Sequence, residues 1–204
     1  MSLQGYWNDR YKSGGDSGAG SRGLLRLWKW HKLVKYLQVE RFTAVKASVI
    51  DVGCGDLAFW KNFTCKNYTG IDFSETRCQE NSVERPNWKF ICSGAEVPQQ
   101  LEKAEAVLCF DMLFHVVNET TFLMVLKNLT DYSSKYIFVY TWFINPLESA
   151  TDAATAYQKF RDFTEYRFMF ERKGFRIVGF HKCPDFIDKY GAMWVFEKEP
   201  TTKV

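Results

Sequence analysis

Asp51-Val52-Gly53-Cys54-Gly55 is the stretch on which the fold is read. It follows the apolar run Ala47-Ser48-Val49-Ile50 and precedes Leu57-Ala58-Phe59-Trp60. That succession reads as strand, glycine turn, helix. A second acid, Asp72, closes the next apolar run, Tyr68-Thr69-Gly70-Ile71. It stands about 20 residues beyond Asp51, roughly one strand–helix–strand step. Gly53 and Gly55 let a ligand approach the backbone closely. A carboxylate ending the second strand can grip a ribose through its hydroxyls. Together these features point to an adenosine-containing cofactor.

Outward from this turn, strands alternate with helices. Strands are predicted at 48–52, 68–72, 88–92, 105–110 and 136–142, and helices at 57–64, 74–83 and 119–130. Ser74 and Asn118 are the predicted N-caps of the last two helices. Strands that alternate with helices imply parallel pairing in a doubly wound α/β sheet. Asn145-Pro146 breaks the pattern. A long helix is predicted over 154–173, stopped by Gly174. Strands over 175–181 and 192–197 close the sheet. Upstream, residues 4–23 combine aromatics with glycine and serine and read as an aromatic anchor followed by a mobile loop. An amphipathic helix is predicted from Leu24 to Phe42.

Length and composition set limits on function. The 204 residues suit one domain: a lid segment over 1–23, a core over 24–199 and a tail over 200–204. No apolar run is long enough for a membrane span, and the start shows no secretory signal. A net charge of +3 with interspersed signs argues against a nucleic-acid partner. The locally basic stretch Arg22 to Lys35 reads as a solvated helix face, with a phosphate-binding surface as its alternative. The six cysteines form no Cys-x-x-Cys pair and the three histidines are dispersed, so no metal site is expected. Several cysteines lie in apolar runs and read as small buried hydrophobes of a reduced, cytoplasmic protein; Cys54, in the glycine turn, is the exception, with packing and reactivity as its two readings.

Gly53-x-Gly55-x-x-Ala58 formally fits a dinucleotide pattern. Three features turn it away from NAD. Asp51 precedes the first glycine, where it would repel a pyrophosphate yet suit a ligand with an ammonium and a sulfonium. A helix and a loop precede the first strand. Little chain follows Ile144, which leaves little room for a separate substrate domain.

On these motifs the chain resembles class I S-adenosylmethionine-dependent methyltransferases over nearly its whole length. Asp51-x-Gly53-x-Gly55 is similar to that family's first motif, with Leu57 at the usual third glycine. Gly70-Ile71-Asp72-Phe73-Ser74 is similar to the second. Trp88 to Glu96 occupies the third, where an acid often found after the strand is missing and Ser93 or Glu96 substitutes. Val107 to Val117 is similar to the fourth. Tyr6-Trp7-x-x-Arg10-Tyr11, Ser17-Gly18-Ala19-Gly20-Ser21 and Asp111-x-x-Phe114-His115 narrow the resemblance to a group of small prokaryotic and phage methyltransferases.

The resemblance implies a Rossmann-like, mostly parallel, seven-stranded sheet of order 3-2-1-4-5-7-6 with helices on both faces. It implies S-adenosyl-L-methionine as cofactor and S-adenosyl-L-homocysteine as product. Asp51, Gly53, Cys54, Gly55, Asp72, Phe73, Gly94, Ala95 and Phe110 become the expected cofactor residues. Trp7, Tyr11 and Arg22 of the lid segment join them, with Arg22 facing the cofactor carboxylate. His115 is the candidate general base and Asp111 the candidate orienting acid; packing and capping are the alternatives. Tyr140 and Trp142 are candidate acceptor residues, with a core role as the alternative. No Asn/Asp-Pro-Pro-aromatic motif for amide or base-nitrogen methylation occurs, so the expected acceptor is a small molecule or metabolite, sugar-linked ones included. A non-catalytic cofactor-binding protein and an NAD-dependent oxidoreductase stand as alternatives.

Overall fold

The computed structural model describes residues 3–148 and 157–200. Its strands are β1 (Val39–Glu40), β2 (Ala44–Val52), β3 (Thr64–Asp72), β4 (Lys89–Cys92), β5 (Ala104–Phe110), β6 (Ser133–Trp142), β7 (Phe175–Lys182) and β8 (Gly191–Lys198). Its α-helices are α1 (Leu3–Lys12), α2 (Gly23–Leu33), α3 (Glu75–Glu84), α4 (Glu119–Tyr132), α5 (Arg167–Glu171) and α6 (Asp185–Asp188). The sheet runs β4-β3-β2-β5-β6-β8-β7, with β1 paired to β2 off this path. Leaving out β1, this is the 3-2-1-4-5-7-6 order. The sheet therefore has eight strands rather than seven among the described residues. Neighbours from β4 to β6 pair in parallel, and β8 lies antiparallel to both β6 and β7.

Alternation along the central strands builds two cores, one on each face. On β5, Ala106 and Leu108 join one apolar cluster while Val107 and Cys109 join the other. On β6, Phe138 and Tyr140 fall on the first face and Ile137 and Val139 on the second. Helix α4 covers the second face with Phe122, Val125, Leu126 and Leu129, the spacing of one helical stripe. Helix α2 covers the first with Trp30 and Leu33. The predicted caps are present: Ser74 Oγ accepts from the Arg77 amide, and Asn118 Oδ1 from the Thr121 amide at 2.9 Å.

Four predicted elements differ. The helix over 57–64 is only a 3-10 turn, Ala58–Trp60, and β3 begins at Thr64. Leu57 to Trp60 are all buried, so no exposed face remains for a helix to present. Trp30 stacks on Phe63 at 3.7 Å, and Trp60 Nε1 donates to Asp51, which draws the segment into the core. The helix expected up to Phe42 stops at Leu33. The chain then doubles back as β1, and Arg41 and Phe42 both take positive φ, as type I′ hairpin turns require. The helix expected over 154–173 is a short 3-10 turn, Phe163–Tyr166, followed by α5; residues 154–156 lie outside the described residues. Arg161 shows why: its guanidinium donates to the Val116 and Val117 carbonyls and to Glu119, tying the chain before the 3-10 turn to the start of α4. Finally, the stretch read as an aromatic anchor is helix α1, and the stretch after it, read as a mobile loop, is tied down by side-chain contacts. Most of the expected tail, 201–204, lies outside the described residues.

Candidate functional site

A cavity of about 540 Å³ opens at the carboxyl ends of β2, β3, β4 and β5, within the usual range for small-molecule sites. In open α/β sheets this edge is where ligands sit. The turn after β2 forms one wall. Gly53 and Gly55 both take positive φ, at 80° and 54°. A Cβ on Gly53 would stand 2.9 Å from Met112, and one on Gly55 would fall on Ser17 Oγ. The turn is thus packed as closely as glycine permits. Cys54 lines the cavity with its sulfur against Gly70, and burial raises its thiol pKa well above the usual value, so it is not a thiolate nucleophile.

Asp72 ends β3 at the cavity wall. Its carboxylate accepts from the Gly55 and Ser74 amides, each at 2.9 Å. Burial raises its pKa against these two bonds. Each oxygen keeps a lone pair beyond the backbone bond, so a vicinal diol can be received there. Phe73, Gly94 and Ala95 line the cavity beside it, as do Ser93 and Glu96, the two residues standing where the third motif lacks its acid. Phe110, Asp111 and His115 line the opposite side.

Asp111 takes φ 57° and lies against the N-terminal segment. Its carboxylate pairs with the ammonium of Lys29, a residue with no exposed side-chain surface. His115 is half-buried. Its Nδ1 lies 3.2 Å from the Tyr157 carbonyl, which can only accept, so Nδ1 carries the proton. Burial lowers its pKa, which makes the neutral imidazole the dominant form near neutrality and leaves Nε2 as a proton acceptor.

Helix α1 lies across the cavity. Trp7 meets His115 edge-on at 5.1 Å, and Tyr11 is buried, with its hydroxyl 3.1 Å from Ser17 Oγ. Burial pushes the Tyr11 pKa well up, so the phenol keeps its proton. Arg77 of α3 packs over the Tyr11 ring at 4.4 Å and donates to the Gly15 carbonyl at 2.8 Å. Asp16 binds Arg10 and Arg22, and Ser17 exchanges hydrogen bonds with Asp56. The covering segment is therefore ordered and cross-braced.

Four sequence-predicted site residues lie elsewhere. Asp51 shares the β2 face of Val49, so its side chain enters the core rather than the cavity. There its carboxylate accepts from Trp60 Nε1 at 2.8 Å and from the Tyr68 hydroxyl at 2.9 Å. Arg22 is paired with Asp16 and, at 2.5 Å, with Asp56. Tyr140 is buried on the α2 face and donates to Asp188 at 2.6 Å. Trp142 stacks on Phe114 at 4.1 Å and is outside the cavity lining. In each case alternation along a strand, or a nearer opposite charge, sets the side chain's direction. Sequence reasoning missed Met112, Thr121 and Lys29. Lys29 carried a misleading signal, since a lysine in a basic helix ordinarily faces water.

Residues 50–132 match the model of a methyltransferase domain. The whole chain is similar in structure to magnesium protoporphyrin IX methyltransferase from Synechocystis PCC 6803 with bound S-adenosylhomocysteine, at 14% identity, TM-score 0.69 and coverage of 97% of this chain and 98% of that one. The N-methyltransferase NodS from Bradyrhizobium japonicum WM9, in complex with S-adenosyl-L-homocysteine, aligns at 12% identity and TM-score 0.71, over 98% of this chain and 100% of that one. The 1,6-didemethyltoxoflavin-N1-methyltransferase of Burkholderia thailandensis aligns at 13% identity and TM-score 0.66, over 97% and 88%. No curated protein sequence matches the chain.

Proposed function

We propose that this chain is a class I S-adenosylmethionine-dependent methyltransferase that methylates an uncharged or cationic small molecule held beneath α1. The observation that carries the cofactor reading is the hydrogen-bonded pairing of the Gly53–Gly55 turn with the buried Asp72 carboxylate on the wall of one cavity. The turn offers close backbone approach to a methionine moiety, Asp72 receives ribose hydroxyls, and Phe73, Gly94 and Ala95 flank an adenine. With Arg22 committed to Asp16 and Asp56, the cofactor carboxylate falls to Ser17, Ser21 and backbone amides, all on the lid side of the turn.

Bound S-adenosylmethionine supplies an activated methyl group. The chain's own residues must align acceptor and donor and keep water out. Trp7, Tyr11 and Phe110 wall the reacting space. His115 Nε2 takes the proton of an acceptor that arrives as O–H or N–H. Charge supports the acceptor class. Asp72, Glu96 and Asp111 line the cavity, while no lysine or arginine does among the described residues. Residues 149–156 hold no lysine or arginine either. A phosphorylated or carboxylated acceptor would meet unfavourable charge there.

Calorimetric titration tests the cofactor site. S-adenosylhomocysteine should bind, NAD should not, and Asp72→Ala should weaken binding at least tenfold. NAD binding without S-adenosylhomocysteine binding would replace this reading with an oxidoreductase. Tight cofactor binding with no S-adenosylhomocysteine formed across a broad panel of uncharged and cationic acceptors would favour a binding protein.

A further inference from the structure

The N-terminal segment covers the cavity, and one buried side chain joins it to the cavity floor. Lys29 lies on α2, inside the stretch whose charges otherwise face water. Its side chain has no exposed surface. Its ammonium donates to the Gly20 carbonyl at 2.9 Å and to the Asp111 carboxylate, and it sits 3.9 Å from the centre of the Tyr140 ring. Gly20 belongs to the covering segment, and Asp111 follows β5 at the cavity wall. A Cβ on Gly20 would fall on the Asp111 carboxylate, so segment and wall are in direct contact.

Burying a charge is unfavourable until its hydrogen bonds and partner charge offset it, and Lys29 is wholly buried. An apolar residue would fill this slot between α2 and β6 at lower cost. The ammonium does something an apolar side chain cannot: it donates at once to a lid carbonyl and a wall carboxylate. The ring face of Tyr140 beneath it stabilises the charge further. Lifting the segment would strip Lys29 of its Gly20 partner.

We propose that Lys29 is a positioning residue that latches the Gly20 segment onto Asp111, holding the lid closed over the cofactor site. The inference rests on the cofactor reading above for its ligand, though the latch itself is a property of the chain. Asp111 is fixed by the same contact, with one oxygen held by Lys29, so cavity wall and lid are set together. Lids of this kind govern ligand entry and release.

Two variants and two readouts test it. Lys29→Met keeps the stem and removes the donor. Gly20→Ala leaves α2 untouched and forces the segment off Asp111. Limited trypsin digestion reports release of the segment through cleavage at Arg10, Lys12 and Arg22. Calorimetry with S-adenosylhomocysteine reports the consequence for binding. Both variants should be cut at these sites at least fivefold faster than the parent, and both should bind at least tenfold more weakly. Far-UV circular dichroism identifies a variant that fails to fold; if Lys29→Met does, Gly20→Ala decides. Parental cutting rates and affinity in a folded variant would overturn the latch. The trypsin arm needs no ligand, so absence of S-adenosylhomocysteine binding by the parent would overturn the cofactor reading and leave the latch to be judged by cleavage alone.

Discussion

Asp51 shows how a residue's side of a strand outweighs its place in a motif. Its position two residues before Gly53 matched the expected pattern, yet its carboxylate is buried between Trp60 and Tyr68. Burial raises its pKa from 3.8 to about 6, against those two hydrogen bonds. The native state therefore holds this proton more tightly than the unfolded chain. Its contribution favours folding below the unfolded pKa and is lost as pH rises through about 6. A shift of this size corresponds to roughly 3 kcal/mol at neutral pH. Asp51→Asn keeps an oxygen for both donors and carries no charge. Urea unfolding from pH 4 to 8 should show the variant more stable at pH 7 to 8 and the two proteins converging near pH 4. A constant difference across that range would sink the argument. His115 lends itself to a different separation. His115→Gln should leave S-adenosylhomocysteine affinity within about twofold, since the ring's contacts are Trp7, Phe114 and a backbone carbonyl. On an O–H or N–H acceptor its rate should fall by on the order of 10²–10⁴. An equal loss in affinity and rate would mean that His115 builds the site rather than moving a proton.

Among the elements, the strands were legible because their apolar runs were bounded by glycines, acids and helix caps. The central strands appear within a few residues of their predicted bounds. The helices were less legible wherever tertiary packing overrode local pattern. Leu57 is the clearest case. It stands where a third glycine is usual and takes the left-handed conformation at φ 55° that glycine would adopt freely. That conformation costs a leucine roughly 1–2 kcal/mol. Its side chain is only 3% exposed, and removing a buried leucine costs about 2–5 kcal/mol. The second term is larger, so Leu57→Gly should destabilise the fold by about 2 kcal/mol despite relieving the backbone. A lower urea midpoint with an unchanged slope checks this; a stabilised variant would mean strain outweighs packing. Helix α1 was hidden for a related reason. Its aromatics and the serine-glycine run after it look unstructured in isolation. They are ordered by partners far along the chain, Asp56 and Arg77, which no local window includes.

At the scale of the whole molecule, donor-site geometry follows from topology. The parallel strands β2, β3, β4 and β5 deliver their carboxyl ends to one edge, and the turn, Asp72, Gly94 and Phe110 meet there from distant stretches of sequence. Those four positions were legible because each ends a strand or closely follows one. On the closing side Trp7 and Tyr11 were legible as aromatics beside a glycine-rich stretch, whereas the side-chain contacts that join α1 and the 17–21 segment to the site were not. A site built from both halves should couple ligand binding to global stability. At a concentration one hundred times Kd, S-adenosylhomocysteine should stabilise the fold by about 2.7 kcal/mol. For a chain of this length that corresponds to a rise in Tm of roughly 5–10 °C. NAD at the same concentration should give none. Removing residues 1–16 takes away Trp7 and Tyr11 and leaves the sheet edge intact. If that costs tenfold in affinity, the same S-adenosylhomocysteine concentration supplies only about 1.4 kcal/mol, and the rise in Tm halves. Differential scanning calorimetry on the two chains measures both shifts. An undiminished shift in the truncated chain would place the ligand on the strand ends alone and remove α1 from the site.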